Sequence, residues 1–164
     1  MNMVVTGLAA LIPMITGFIW YNPKVVGGAW MKAAEMTEAK MKKASMGVIL
    51  LVSLLLSFML SIQIGMLTIH QAHLDSIVMN IPGFGQEGSE VMNDLASFKS
   101  KYGAEFRTFK HGAFHGVISA FFFALPILGI NALLERRGFK YIAIHTAYWI
   151  ITMALMGGVI CQWS

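Results

Sequence analysis

The sequence predicts an all-α polytopic membrane protein: a four-transmembrane-helix bundle with a long outer loop containing a short amphipathic helix. Three observations predict it. Four stretches, at 3–20, 46–69, 112–134 and 141–163, contain no Asp, Glu, Lys or Arg and make up more than half of the 164 residues. Each reaches or approaches the roughly 20 residues that a helix needs to cross about 30 Å of hydrocarbon. The composition is 57% hydrophobic and only 12% charged, with a mean hydropathy of +0.67; a typical soluble domain carries roughly a quarter charged residues. One membrane domain over residues 1–164 is therefore expected.

Charge and cysteine content narrow the function classes. The net charge of +4 does not point to nucleic acid, because the basic residues sit beside the spans and act as topology signals. The single cysteine, Cys161, excludes an intramolecular disulfide. Met1–Met3 has no basic n-region and no small-x-small cleavage pattern follows, so the first span is expected to be retained.

The first span, 3–20, offers Thr6, Ala10, Pro13 and Gly17 for close contact. It ends in Trp20 and Tyr21, amphipathic aromatics suited to an interface, and Pro23 stops the helix. Residues 21–45 form the first inner loop, where 29–36 predicts a short helix lying on the membrane. Thr37 reads as an N-cap, with Glu38 at the positive end of the dipole, so the second helix is expected to begin well before its apolar part at 46–69. The outer loop, 70–111, opens with a turn at Asn80-Ile81-Pro82-Gly83. Ser89 then caps a helix on which Val91, Leu95, Phe98 and Tyr102 recur at helical spacing, ending at Gly103. The third span, 112–134, and the fourth, 141–163, are joined by the inner loop 135–140.

Loop charge sets the topology. The two inner loops hold eight Lys and Arg residues and the outer loop four, against five acids. The basic-rich loops belong in the cytoplasm, which places both termini outside.

Inside the spans, the third carries Gly112, Gly116, Ala120 and Ala124 at intervals of four, and the second carries Ser53, Ser57, Ser61 and Gly65 likewise. Such small-residue ridges let helix backbones approach closely, and they are expected to face helices, not lipid. Polar side chains in the spans are few: Gln63, Asn131 and His145. Asn131 and His145 lie at matching depths near the inner face, so a hydrogen-bonded clasp between them is expected. No carboxylate lies at mid-membrane depth, which weighs against a proton-coupled pump.

The candidate site is histidine. His70 and His73 end the second span and His111 and His115 begin the third. Both spacings put two imidazoles on one helix face, and the topology brings both faces to the outer interface, with Asp75 and Glu105 near. Imidazole and carboxylate suit zinc, copper, nickel or iron. A haem between His115 and a second-span histidine, a pH-sensing role, and plain solvated or capping histidines remain open. No catalytic residue and no cofactor-binding motif is identified.

The run Trp20-Tyr21-Asn22-Pro23, then Gly27, Ala29-Trp30-Met31-Lys32 and Thr37-Glu38, resembles the domain of unknown function 1761 family of small bacterial membrane proteins. The resemblance returns at Asn131-Ala132-Leu133-Leu134-Glu135, Ala147-Tyr148 and Leu155-Met156-Gly157-Gly158. It implies four spans and a bacterial inner-membrane setting, and no activity. The long outer loop departs from compact members, and Trp149 stands where the family pattern places a histidine, with His145 four residues earlier.

The function these residues point to is a non-enzymatic membrane component, either self-associating or an accessory subunit of a larger membrane complex, with the lipid bilayer and other membrane subunits or further copies as its partners. The alternative is a small transporter, channel or metal-handling protein with its histidine site at the outer face.

Overall fold

The computed structural model describes residues 1–164 and is built of helices alone. Four helical runs, Met3–Trp20, Met46–Thr68, Phe109–Leu134 and Phe139–Trp163, are long and apolar enough to cross a membrane. Their surfaces fit that reading: Leu51 (71% exposed), Phe18 (80%) and Phe122 (69%) present bare apolar side chains outward, a pattern that lipid, not water, solvates well.

The first span is two short helices in line, α1 (Met3–Ala9) and α2 (Ile12–Trp20), broken just before Pro13. Asn2 caps α1 by accepting from the Val4 and Val5 amides. After α2, Asn22 accepts from the Lys24 amide and opens a π-helical turn over Pro23–Gly27, leading into α3 (Gly28–Ala33). Thr37 does cap a helix, α4 (Glu38–Lys42), but α4 stops there. The second span, α5 (Met46–Thr68), starts afresh after an extended Ser45, so the expected early start of the second helix is not observed. With Lys40 and Lys42 in its last turn, Lys43 following it and no buried side chain, α4 has no apolar face to continue into the bundle.

Beyond α5 come a 3-10 turn at His70–His73, then α6 (Leu74–Val78) and α7 (Glu90–Tyr102). Ser89 caps α7, and Val91 and Leu95 form its buried stripe. Gly83, at φ +91°, makes the turn before it. Lys99 on α7 holds both oxygens of Asp75 on α6 at 2.7 Å.

The third span runs as α8 (Phe109–Ser119), a π-helical segment Ala120–Ala124, and α9 (Leu125–Leu134). The wide turn lies immediately before Pro126, which has no N–H for the ladder and whose ring crowds the preceding turn. The fourth span, α10 (Phe139–Trp163), is the centre of the fold: 50% of its most apolar stretch is buried, against 17% for each of the second and third spans. The core joins Ala9, Ile64, Ala120, Met153, Met156 and Ile160.

The third-span ridge, and the Ser61 and Gly65 end of the second-span ridge, meet neighbouring parts of the same chain. A Cβ on Gly112 would fall on the Gly157 carbonyl, and one on Gly116 on the Met153 carbonyl, so α8 lies backbone to backbone on α10. Ala120 is fully buried and Ala124 packs against the core. On α5, Ser57, Ser61 and Gly65 are buried and Ser53 is half-buried.

Candidate metal centre

The Gly112/Gly116 seam determines where the histidines point. His111 and His115 each precede a seam glycine by one residue, so they stand about 100° around α8 from the face that touches α10. That neighbouring face meets the end of α5. Three fastenings hold the start of α8 in place. Arg107 Nε donates to the Cys161 carbonyl at 2.7 Å, its Nη2 donates to the Ser164 carbonyl, and the Phe109 amide donates to Gln162 Oε1 at 3.0 Å. The first two satisfy carbonyls that the end of α10 leaves without helical partners.

From the other side, α5 ends at Thr68 and Ile69 turns extended, which delivers His70 toward α8. Gln71 fixes this turn by donating to the Glu105 carbonyl at 2.8 Å. His70, His111 and His115 then converge, with one ring nitrogen from each lying within 4.8 Å of the others. His70 and His111 share a hydrogen bond, 3.0 Å between their Nε2 atoms, so one of the two carries the proton there. The His111 and His115 ring centroids are 4.5 Å apart and those of His70 and His115 4.9 Å.

Tetrahedral zinc with nitrogen ligands at about 2.0–2.1 Å places those ligands roughly 3.3 Å from one another. The three ring nitrogens, within 4.8 Å of one another, exceed that spacing by at most about 1.5 Å. A cleft of about 370 Å³ lies beside it, lined by His70, Leu74, Phe98, Tyr102 and Glu105 among others. The His70 side of the trio is therefore open to a water or a carboxylate as a fourth ligand.

Two of the predicted neighbours stand elsewhere. His73 is exposed, and its Nε2 lies 2.7 Å from the Met66 carbonyl, capping the end of α5. Helical spacing paired it with His70, but the helix stops at Thr68 and the 3-10 turn leaves the helix axis. Asp75 is taken by Lys99.

The expected Asn131–His145 clasp is not formed. Asn131 is exposed while its neighbour Ala132 takes the buried position. His145 Nδ1 instead pairs with the Tyr21 hydroxyl at 2.8 Å, and its buried Nε2 has no partner. Equal depth did not make equal facing. The same holds for Gln63, exposed two residues from both Ser61 and Gly65, and so on the far side of α5 from its ridge. Tyr21 was legible only as an interfacial aromatic. Burial, with the phenols of Tyr148 and Tyr141 nearby, raises its pKa above the ordinary tyrosine value, so the group stays a neutral O–H.

The chain belongs to the family described as "Protein of unknown function (DUF1761)", which matches residues 4–161. No curated protein and no solved structure matches it.

Proposed function

We propose that this family member is a non-enzymatic protein of the bacterial inner membrane that binds a first-row transition-metal ion at its outer face through His70, His111 and His115. The observation that carries the reading is the convergence of three imidazole nitrogens from two helices within 4.8 Å, in a chain whose spans are otherwise poor in polar groups. The ligand set is all nitrogen, which suits zinc, copper, nickel or iron above magnesium or calcium. The excess of Lys and Arg in loops 21–45 and 135–140 orients the trio outward, with both termini outside. The role is capture at one face. Immediately below His115, Gly116, Ser119 and Ala120 are buried against the bundle, and the Ser119 hydroxyl donates to the His115 carbonyl at 2.7 Å.

The self-associating reading rested on the small-residue ridges, and their glycines Gly65, Gly112 and Gly116 are occupied by contacts within one chain. They supply no argument for a second copy.

Titration of zinc or nickel into chelator-stripped protein in detergent tests the proposal. One ion per chain is expected, with a rise in folding stability of about 2.7 kcal/mol when free metal is 100 times the dissociation constant. His111→Ala and His115→Ala should each abolish stoichiometric binding, while His73→Ala retains it. Absence of saturable binding to the wild-type protein, or full binding by the double variant, overturns the proposal.

A further inference from the structure

A crevice of about 610 Å³ opens between α2 and α5 at the end of the bundle opposite the histidines. Its volume falls in the roughly 300–1,000 Å³ range of small-molecule sites. Its mouth is flanked by Phe18, 80% exposed, and Leu50, 49% exposed, so it faces the surface that lipid covers. Tyr21, Trp30, Tyr148 and Trp149 build its walls, with Tyr21 stacked at 5.3 Å on both Trp30 and Tyr148. None of its lining residues carries a charge.

Two hydroxyls in this crevice make no hydrogen bond within the chain. In the spans, Thr16, Ser61, Thr68 and Ser119 each donate to a carbonyl three or four residues earlier, the ordinary way of satisfying a hydroxyl in an apolar helix. Ser53 and Ser57 line the crevice and form no such bond, although Ser57 is only 6% exposed. Both hydroxyls are thus free to donate into the crevice, and in a hydrocarbon surrounding a hydroxyl without an acceptor is costly, a cost that a bound acceptor would relieve.

The occupant must therefore be lipid-soluble, uncharged where it meets the walls, planar enough to lie among tilted aromatic rings, and supplied with a hydrogen-bond acceptor. A phosphate or carboxylate headgroup fails the second condition, and a bare acyl chain fails the last two. We propose that the crevice binds a lipid-soluble quinone, with its ring among the tyrosines and tryptophans, a ring carbonyl accepting from Ser57, and its isoprenoid tail leaving between α2 and α5. The site is separate from the histidine trio and does not depend on it.

Titration of a short-chain ubiquinone into the detergent-solubilised full chain, read by tryptophan fluorescence, tests this, because a quinone against Trp30 and Trp149 quenches them. Saturable quenching is expected. Ser57→Ala, which removes one hydroxyl and keeps the space, should weaken binding about two- to tenfold with an unchanged melting temperature in the absence of quinone. Ser53→Phe, which fills the crevice, should abolish it. Farnesol, which has an isoprenoid tail and no ring, should compete poorly. The proposal is overturned by quenching that does not saturate, by Ser57→Ala binding as tightly as wild type, by Ser53→Phe retaining binding, or by farnesol displacing the quinone at equal concentration.

Discussion

Adding a single methyl group at Gly116 is expected to separate α8 from α10 and to loosen the histidine trio along with it. The new carbon would fall on the Met153 carbonyl and 2.9 Å from Ala154 Cα. Both are backbone atoms in the middle of a long helix, so neither can rotate away, and the seam must open by about 1 Å to restore ordinary contact. A gap of that size forfeits a quarter to a half of each dispersion well. If the seam holds about 40 atom pairs at about 0.1–0.2 kcal/mol each, the loss is about 1–4 kcal/mol, in line with the usual penalty for overpacking. Gly129 provides the control, because a Cβ there meets nothing within 4 Å. Gly129→Ala should be neutral or stabilising by up to about 1 kcal/mol, the helix propensity difference. Unfolding of the two variants by increasing SDS mole fraction in mixed micelles, followed by circular dichroism, gives both values. Metal titration should show weaker binding only for Gly116→Ala. Equal stability of Gly116→Ala and wild type, or an equal penalty at Gly129, would refute the claim that this glycine is required by helix approach.

Two further outcomes follow from local chemistry. The raised pKa of Tyr21 means that the folded protein keeps a proton that the unfolded chain releases above about pH 10. That contribution to stability is complete below about pH 10 and declines as pH rises beyond it. Melting temperatures measured from about pH 8 to about pH 11 should fall less steeply for Tyr21→Phe than for wild type, and identical slopes would remove Tyr21 as the source. Arg136 sits at φ +60°, just past the end of α9, where glycine is favoured. Arg136→Gly should raise stability by about 0.5–1 kcal/mol in the same SDS titration; a loss would show that its side chain matters more than its backbone strain.

The four spans were legible because hydrophobic length is a one-dimensional signal, and the third-span ridge because a period of four needs no partner to be seen. His111 and His115 were legible for the same reason: they ride on a helix that continues through them. His73 was misread because its pairing with His70 assumed a helix that ends at Thr68, and nothing in Ile69-His70-Gln71-Ala72-His73 carries a helix-stop residue such as glycine or proline. The early start assigned to the second helix failed in the opposite sense. Thr37 gave a true cap, but a cap says where a helix begins and not how far it runs. The Asn131–His145 pair failed because depth along an axis, with the helix radius, fixes only two of three coordinates. The third, rotation about the helix, depends on register, and the π-helical turn at Ala120–Ala124 alters the register of everything beyond it in the third span.

The two proposed sites share α10 as a support. Its half nearer Trp163 presents Gly157 and Cys161 to α8 and so sets the position of His111 and His115. Its half nearer Phe139 presents Tyr148 and Trp149 to the crevice and His145 to Tyr21. Between them Thr152 meets the Thr16 hydroxyl at 2.8 Å, and Tyr148 donates to the Pro13 carbonyl at 2.7 Å, pinning the first span to the same helix. Tyr148 and Ile160 are about 18 Å apart along that helix at 1.5 Å per residue, beyond the distance at which substitutions ordinarily couple. A methyl group in the α8 seam therefore has a short lever on the imidazoles and none on the aromatic crevice. A change that moves both sites together would have to act on α10 or on α5, whose Ser53 and Ser57 line the crevice and whose end delivers His70.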